Sequence, residues 1–147
     1  MKHKKIIFVC TGNTCRSPMA EAALRQELKK RKIRWYQISS AGLRAQEGAL
    51  MANNAKIALS EAGIPFSEQF CARKLTPKMV KDAAAVICMT REQAEQIGGK
   101  NVTNMAVFAG KDIPDPYGQG IEVYRATLRA ICDCLPQIIA ILNIGNE

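Results

Sequence analysis

Short apolar runs alternate with helical stripes along the chain. Residues 5–9, Lys5-Ile6-Ile7-Phe8-Val9, are almost continuously apolar, the pattern of a strand covered on both faces. Ala22, Ala23, Leu24 and Leu28 follow at helical spacing and predict a helix over about residues 18–32. Residues 35–40 read as a second strand. Residues 53–62 read as a helix closed by Gly63, which suits the left-handed position after a last turn. Thr76-Pro77 opens a short helix to about residue 82, residues 84–89 form a third strand, and Thr90 caps a helix over residues 91–97. Residues 105–108 are the fourth strand. A final helix covers about residues 121–142, and Pro136 in its middle predicts a kink or a break, because proline lacks an N–H and its ring clashes with the preceding turn.

Strands that alternate with helices imply the α/β class: a parallel sheet with right-handed crossovers, in a single domain over residues 1–147. Ligands of such sheets bind beyond the carboxyl ends of the strands, and the first strand ends at Cys10. A chain of 147 residues can bury a real core, and 48% apolar composition without a repeat or a low-complexity tract marks it as globular. The basic N-terminal start precedes an apolar run too short for a signal peptide, and no stretch approaches the roughly 20 residues of a membrane span. The expected location is the cytoplasm, away from membranes.

The candidate chemistry lies in Cys10-Thr11-Gly12-Asn13-Thr14-Cys15-Arg16-Ser17, which leaves the first strand and runs into Pro18-Met19-Ala20-Glu21. Ser17 reads as an N-cap and Pro18 as the first helical residue, giving strand, tight loop, helix. Successive N–H groups from Thr11 to Ser17, those of Thr14 and Cys15 included, can curl around one anion at the helix N-terminus. Cys10 lies beneath them, a place that suits a thiolate, which attacks phosphorus without needing a base. The planar fork of Arg16 can grip two phosphate oxygens. Gly12 offers a positive φ and a close backbone approach, and Asn13 tolerates a left-handed conformation. The Ser17 hydroxyl can donate to the Cys10 sulfur and stabilise it as a leaving group. A buried cysteine closing a core strand would account for Cys10, but not for Gly12, Arg16 and Ser17 together. No Gly-Lys-[Ser/Thr] follows, so nucleoside triphosphates are not the expected ligand.

These residues carry a family resemblance. Cys-x5-Arg-Ser at this place is similar to the low-molecular-weight protein tyrosine phosphatase family, and the string from Cys10 to Glu21 resembles its bacterial branch that includes protein arginine phosphatases. The likeness continues through Ser39-Ser40-Ala41-Gly42, Ala72-Arg73-Lys74-Leu75, Ile87-Cys88-Met89-Thr90 and Ile113-Pro114-Asp115-Pro116-Tyr117. It implies a doubly wound, four-stranded parallel sheet of order 2-1-3-4 flanked by helices. It also implies hydrolysis of phosphorylated protein side chains through a phosphocysteine, with phosphorylated proteins as substrates and inorganic phosphate as product. No cofactor and no metal are expected, and the chain is expected to be a monomer.

Asp115 is the second chemical element. Expelling the substrate's leaving group needs a proton, hydrolysing the phosphocysteine needs a base, and one carboxyl can serve both steps in turn. Its flanking prolines stiffen the backbone. Asp-Pro and Gly are also turn residues; the family's general acid, in a late Asp-Pro-Tyr, turns the reading toward catalysis. Asp112 is the nearest rival, and Asp82 reads as structural. Tyr117 can wall the pocket and stack on a phosphotyrosine ring or on a planar guanidinium. Tyrosine-directed members often carry two adjacent aromatics here, whereas Tyr117 is followed by Gly118. Tyr124 reads as packing or surface. Tyrosine-directed members usually carry a branched apolar residue at the position of Thr14, and the resemblance implies that threonine there goes with phosphoarginine. As a loop residue, Thr14 could equally cap a backbone group. Two alternatives remain: a tyrosine phosphatase proper, and a thioredoxin-coupled arsenate reductase. The reductases share this fold and loop but need a relay cysteine pair after the third strand, and Cys88 lies within that strand.

Charge and cysteines refine the picture. The net charge is +8, concentrated in Lys29-Lys30-Arg31-Lys32 and Arg34, where cations complement the negative pole of a helix end and attract anionic phosphoproteins. No zinc-ligand pattern and no RNA-binding aromatic motif accompanies the charge, so nucleic acid is not an expected partner. The six cysteines do not form a secreted disulfide framework, and Cys132-x-Cys134 faces two ways on a helix. Cys15 shares the loop with Cys10, and a reversible disulfide between them under oxidant, which the family resemblance supports, would protect Cys10 from higher oxidation.

Overall fold

The apolar run at the start of the chain becomes the centre of the sheet. β1 (Lys4–Cys10) pairs in parallel with β2 (Tyr36–Gly42) on one side and β3 (Ala85–Cys88) on the other, and β4 (Val102–Asn104) pairs with β3. The strand order is β2-β1-β3-β4, as the resemblance implies. The structure is a computed structural model describing residues 3–146; the first two residues of the basic start and the last residue of the expected 1–147 domain lie outside the described residues.

Side chains alternate across a strand, so β1 feeds two cores. Ile6, Phe8 and Cys10 face the larger one, with Ile87 and Met89. Over it pack α1 (Arg16–Lys30), α2 (Asn53–Glu61), α6 (Ile121–Asp133) and α7 (Leu135–Ile141). Ile7 and Val9 face the smaller one with Val86 and Cys88, against α3 (Pro77–Asp82) and α4 (Arg91–Ile97). Covering both faces is what the unbroken apolar run of β1 requires.

Helix ends follow their sequence signals. Gly63, at φ 71°, closes α2 with the N–H groups of Gly63 and Ile64 on the carbonyls of Ser60 and Leu59. Thr90 and Gln93 form a reciprocal capping box on α4. The long C-terminal helix breaks at Cys134, and Pro136 becomes the second residue of α7, where its missing N–H costs nothing. Two expectations are corrected. The fourth strand is residues 102–104, whereas the apolar stretch 105–108 falls mostly in a short helix, α5 (Ala106–Ala109). The Asn104 side chain accepts from the Ala106 N–H, and Gly110 at φ 81° ends the turn. β4 is a half-buried edge strand, so it needs no continuous apolar run. Ser17 is also not the cap of α1: the helix starts at Arg16 and is capped by Cys15, with no side-chain cap bond. Pro18 therefore stands third, still among the residues whose N–H lacks a helical partner.

Candidate active site

β1 ends at Cys10 and α1 starts at Arg16, so residues 11–15 form the loop between them at the carboxyl edge of the sheet. Asn13 makes the turn, at φ 58°. Gly12 does not: it has no positive φ, and a Cβ there would meet only Thr14 Oγ1 at 3.8 Å. The glycine the loop requires is Gly42, at the end of β2. A Cβ on it would lie 2.6 Å from the Thr11 carbonyl oxygen and 3.0 Å from the Asn13 nitrogen. The next two N–H groups, of Leu43 and Arg44, pin the loop by donating to the carbonyls of Cys10 and Thr11. Gly42→Ala should cost about 1–3 kcal/mol through overpacking, read as a lower Tm together with weaker phosphate binding. An unchanged melting curve would mean that the loop relaxes without cost.

The loop's hydrogen bonds run in one direction. The Arg73 N–H donates to Asn13 Oδ1 at 3.0 Å, which fixes the orientation of the Asn13 amide. Its Nδ2 then donates to Ser17 Oγ at 2.8 Å and to Ser40 Oγ at 3.0 Å. The Ser40 hydroxyl in turn donates to Glu21 Oε1 at 2.6 Å. Ser17 Oγ thus accepts from Asn13, and its hydroxyl proton is left for Cys10 Sγ, 2.9 Å away. Asn13 and Ser17 are fully buried beneath the loop, so their side chains support the cysteine from behind and do not line the cavity. Sequence reasoning missed Ser40, Glu21 and Arg73 as members of this chain, because their contacts cross elements.

Backbone N–H groups of residues 12–17 find no protein acceptor among the described residues. Arg16, only 4% exposed, donates from Nη1 to the Ile113 carbonyl at 2.9 Å and holds Nη2 3.7 Å from Asp115 Oδ2. Asp115 is brought over the loop because the Ile113 N–H is bonded to the Met89 carbonyl just past β3. Its other oxygen accepts the Tyr117 N–H at 3.1 Å, a tight local turn that sets the carboxylate's direction. Cys10, Thr11, Gly12, Thr14, Cys15, Arg16, Asp115 and Tyr117 all line one cavity of about 360 Å³. Arg44, Gln46 and Ala49, which the sequence reading did not single out, complete its wall. Outside this cavity, Gln93 donates from α4 to Thr11 Oγ1 at 3.2 Å and supports the loop.

The neighbouring groups sort themselves. Asp112 accepts the Arg91 N–H at 3.0 Å at the start of α4, a structural role. Asp82 pairs with Lys78. Tyr124, read as packing or surface, is buried with its hydroxyl 3.3 Å from Cys15 Sγ. Burial raises the pKa of Cys15, against the Tyr124 and Thr14 hydrogen bonds, and Asp115 and Cys10 add to the rise, so this sulfur stays a thiol. Burial pushes Cys88 up to about 12, with Cys10 adding to it. Among the described residues no three His, Cys, Asp or Glu side chains cluster as a metal site, and no helix is long and apolar enough to cross a membrane.

Comparison with known proteins follows the same lines. The family model described as low molecular weight phosphotyrosine protein phosphatase matches residues 5–145. A protein-arginine-phosphatase of Geobacillus stearothermophilus is 37% identical over 131 residues, 83% of this chain and 84% of the relative. The low molecular weight protein-tyrosine-phosphatase Ptp of Acinetobacter johnsonii is 32% identical over 142 residues, 92% of this chain and 95% of the relative. Among solved structures, a cysteine-to-serine mutant of the YwlE arginine phosphatase with a phosphorylated active-site serine superposes with a TM-score of 0.84. It is 31% identical and covers 95% of each chain.

Proposed function

The chain belongs to the low molecular weight phosphotyrosine protein phosphatase family, and from that premise we propose that Cys10, Arg16 and Asp115 carry its reaction, with phosphoarginine side chains as the preferred substrate. It is a cysteine-dependent protein phosphatase acting on phosphorylated proteins. The observation that carries the residue assignment is that the N–H groups of residues 12–17, in the loop that leaves Cys10, have no protein acceptor among the described residues, with the buried Arg16 closing that loop. Such a set of donors suits the three non-bridging oxygens of a phosphoryl group.

In the first step the Cys10 sulfur forms a bond to phosphorus while the P–N bond of phosphoarginine breaks, or the P–O bond of an aryl ester. The electron pair leaves on that nitrogen or oxygen and takes the proton of the Asp115 carboxyl. In the second step water attacks phosphorus, its proton goes to the Asp115 carboxylate, and the S–P bond breaks. The Ser17 hydroxyl, 2.9 Å from Sγ, steadies the departing thiolate, and inorganic phosphate leaves. Thr11, Gly12, Thr14 and Cys15 hold the phosphoryl oxygens through their backbone, and Tyr117, exposed at the cavity's rim, stacks on the substrate side chain. No cofactor takes part in these steps. Residues 1–147 are taken as one such domain, acting in the cytoplasm, where a working thiolate stays reduced.

Thr14 supports the arginine preference. Its side chain lines the cavity with the hydroxyl 3.6 Å from Cys15 Sγ, leaving polar space beside the scissile bond. Thr14→Ile should lower kcat/KM on phosphoarginine peptides relative to phosphotyrosine peptides by about 10–100-fold, since a branched apolar chain crowds a guanidinium and packs on an aryl ring. Both substrates are assayed on both proteins; a wild type that already prefers phosphotyrosine overturns the arginine reading and leaves the tyrosine one. Arsenate reduction finds no support, because the buried Cys88 thiol makes a poor relay.

Cys10 and Cys15 open onto the same cavity. Peroxide should first convert the Cys10 thiolate to a sulfenic acid. The Cys15 thiol then displaces hydroxide from it as water, giving a Cys10–Cys15 disulfide that a dithiol reductant reverses. Mass spectrometry of the oxidised protein checks this, and Cys15→Ser should lose activity irreversibly under the same treatment.

A further inference from the structure

We propose that the groove between α1 and the outer edge of β2 binds an acidic segment of the phosphorylated protein substrate, apart from the catalytic cavity. That the segment belongs to the substrate rests on the phosphatase reading above. The groove holds about 750 Å³ and shares no lining residue with the catalytic cavity. Arg25, Lys29, Lys32, Arg34 and Arg73 line it, and its one carboxylate, Glu21, is already taken by Arg25 at 2.6 Å and by Ser40. Lys29, Lys32 and Arg34 have no ion-pair partner among the described residues.

These cations are not used up in closing the helix. The N–H groups of Lys32 and Ile33 already cap the carbonyls of Lys29 and Leu28, with Lys32 itself at φ 59°. Nor is the groove built for another strand: Arg25 and Arg73 donate to the outward carbonyls of Ile38 at 2.7 Å and Ser40 at 3.1 Å, which blunts that edge. What remains is recognition of side-chain carboxylates by ammonium and guanidinium groups. The rings on its floor, Tyr36 and Phe70, are half-buried against the main core, so they offer nucleobases less stacking face than exposed rings would. A substrate tethered there presents its phosphorylated residue at a raised effective concentration.

The test uses the full chain and the triple charge reversal K29E/K32E/R34E, which leaves the catalytic residues in place. Two peptides carry the same phosphorylated residue, followed by a flexible linker and either a run of glutamates or a run of serines. The glutamate peptide should show a KM about tenfold below the serine peptide at equal kcat, and the triple variant should abolish that difference. Turnover of an aryl phosphate should be the same in both proteins. An unphosphorylated glutamate peptide should shift the amide resonances of Lys29, Lys32, Arg34 and Ile38. Equal KM values for the two peptides on the wild type, or shifts confined to the catalytic cavity, overturn the proposal. So does displacement of the glutamate peptide by an oligonucleotide of equal charge, which would make the groove a nucleic-acid face. Absence of aryl phosphate turnover would instead refute the phosphatase reading, and the resonance shifts are read independently of it.

Discussion

Cys10→Ser should reduce turnover by about 10⁶-fold, the scale on which removing a covalent nucleophile acts, while phosphate still binds. The two halves of this result come from different parts of the structure. Oxygen replaces sulfur with little change in shape, so the loop N–H groups and the Arg16 fork stay where they are. A serine hydroxyl, however, has no base beside it: the nearest side chain, Ser17, is itself a hydroxyl that already accepts from Asn13, and a hydroxyl is a poor base. The variant should therefore bind inorganic phosphate with wild-type affinity by calorimetry and show only residual activity. Slow attack would leave the phosphoryl group on the substituted side chain, seen as one added phosphoryl mass. A variant retaining more than a tenth of wild-type turnover would show that Cys10 is not the nucleophile.

Asp115→Ala should lower kcat by about 10²–10⁴ on substrates with poor leaving groups, the usual worth of general acid catalysis. An alkyl guanidine is such a group, whereas an activated aryl oxide departs without a proton, so the loss on an aryl phosphate should be much smaller. The carboxylate is half exposed and its bond to the Tyr117 N–H is local, so the substitution should leave Tm nearly unchanged. Asp112→Ala gives the opposite signature. It removes the acceptor of the Arg91 N–H at the start of α4 and should lower Tm with no dependence on leaving group. Equal losses on both substrates for Asp115→Ala would mean that the residue only shapes a turn.

The site was legible in the sequence to the extent that it is local. Cys10, Arg16 and Ser17 belong to one short loop, and the order strand, loop, helix places an anion at a helix N-terminus wherever such a loop occurs. Asp115 was legible only through its motif, since a turn and a general acid share the same residues; what brings it near Arg16 is the bond from Ile113 to Met89, formed across elements. Gly12 was given a conformational duty that Asn13 performs, and the close approach that demands a glycine lies at Gly42, thirty residues downstream. Tyr124 gave no signal at all, because a tyrosine on an amphipathic helix looks the same whether it meets a core or a cysteine.

By itself the sequence determined the strands with apolar runs, the helices with marked caps, the break just before Pro136 and the contents of the loop between β1 and α1. These depend on interactions within a few residues: side-chain periodicity, missing N–H groups and caps. Only the tertiary structure decided that residues 102–104, and not the more apolar 105–108, form the edge strand, because pairing partners on β3 outweigh local hydrophobicity there. Only the tertiary structure set the direction of the hydrogen-bond chain from Arg73 through Asn13 and Ser17 to Cys10. Each donor in that chain is oriented by a partner from another element, and such partners are adjacent in space only after the sheet has formed.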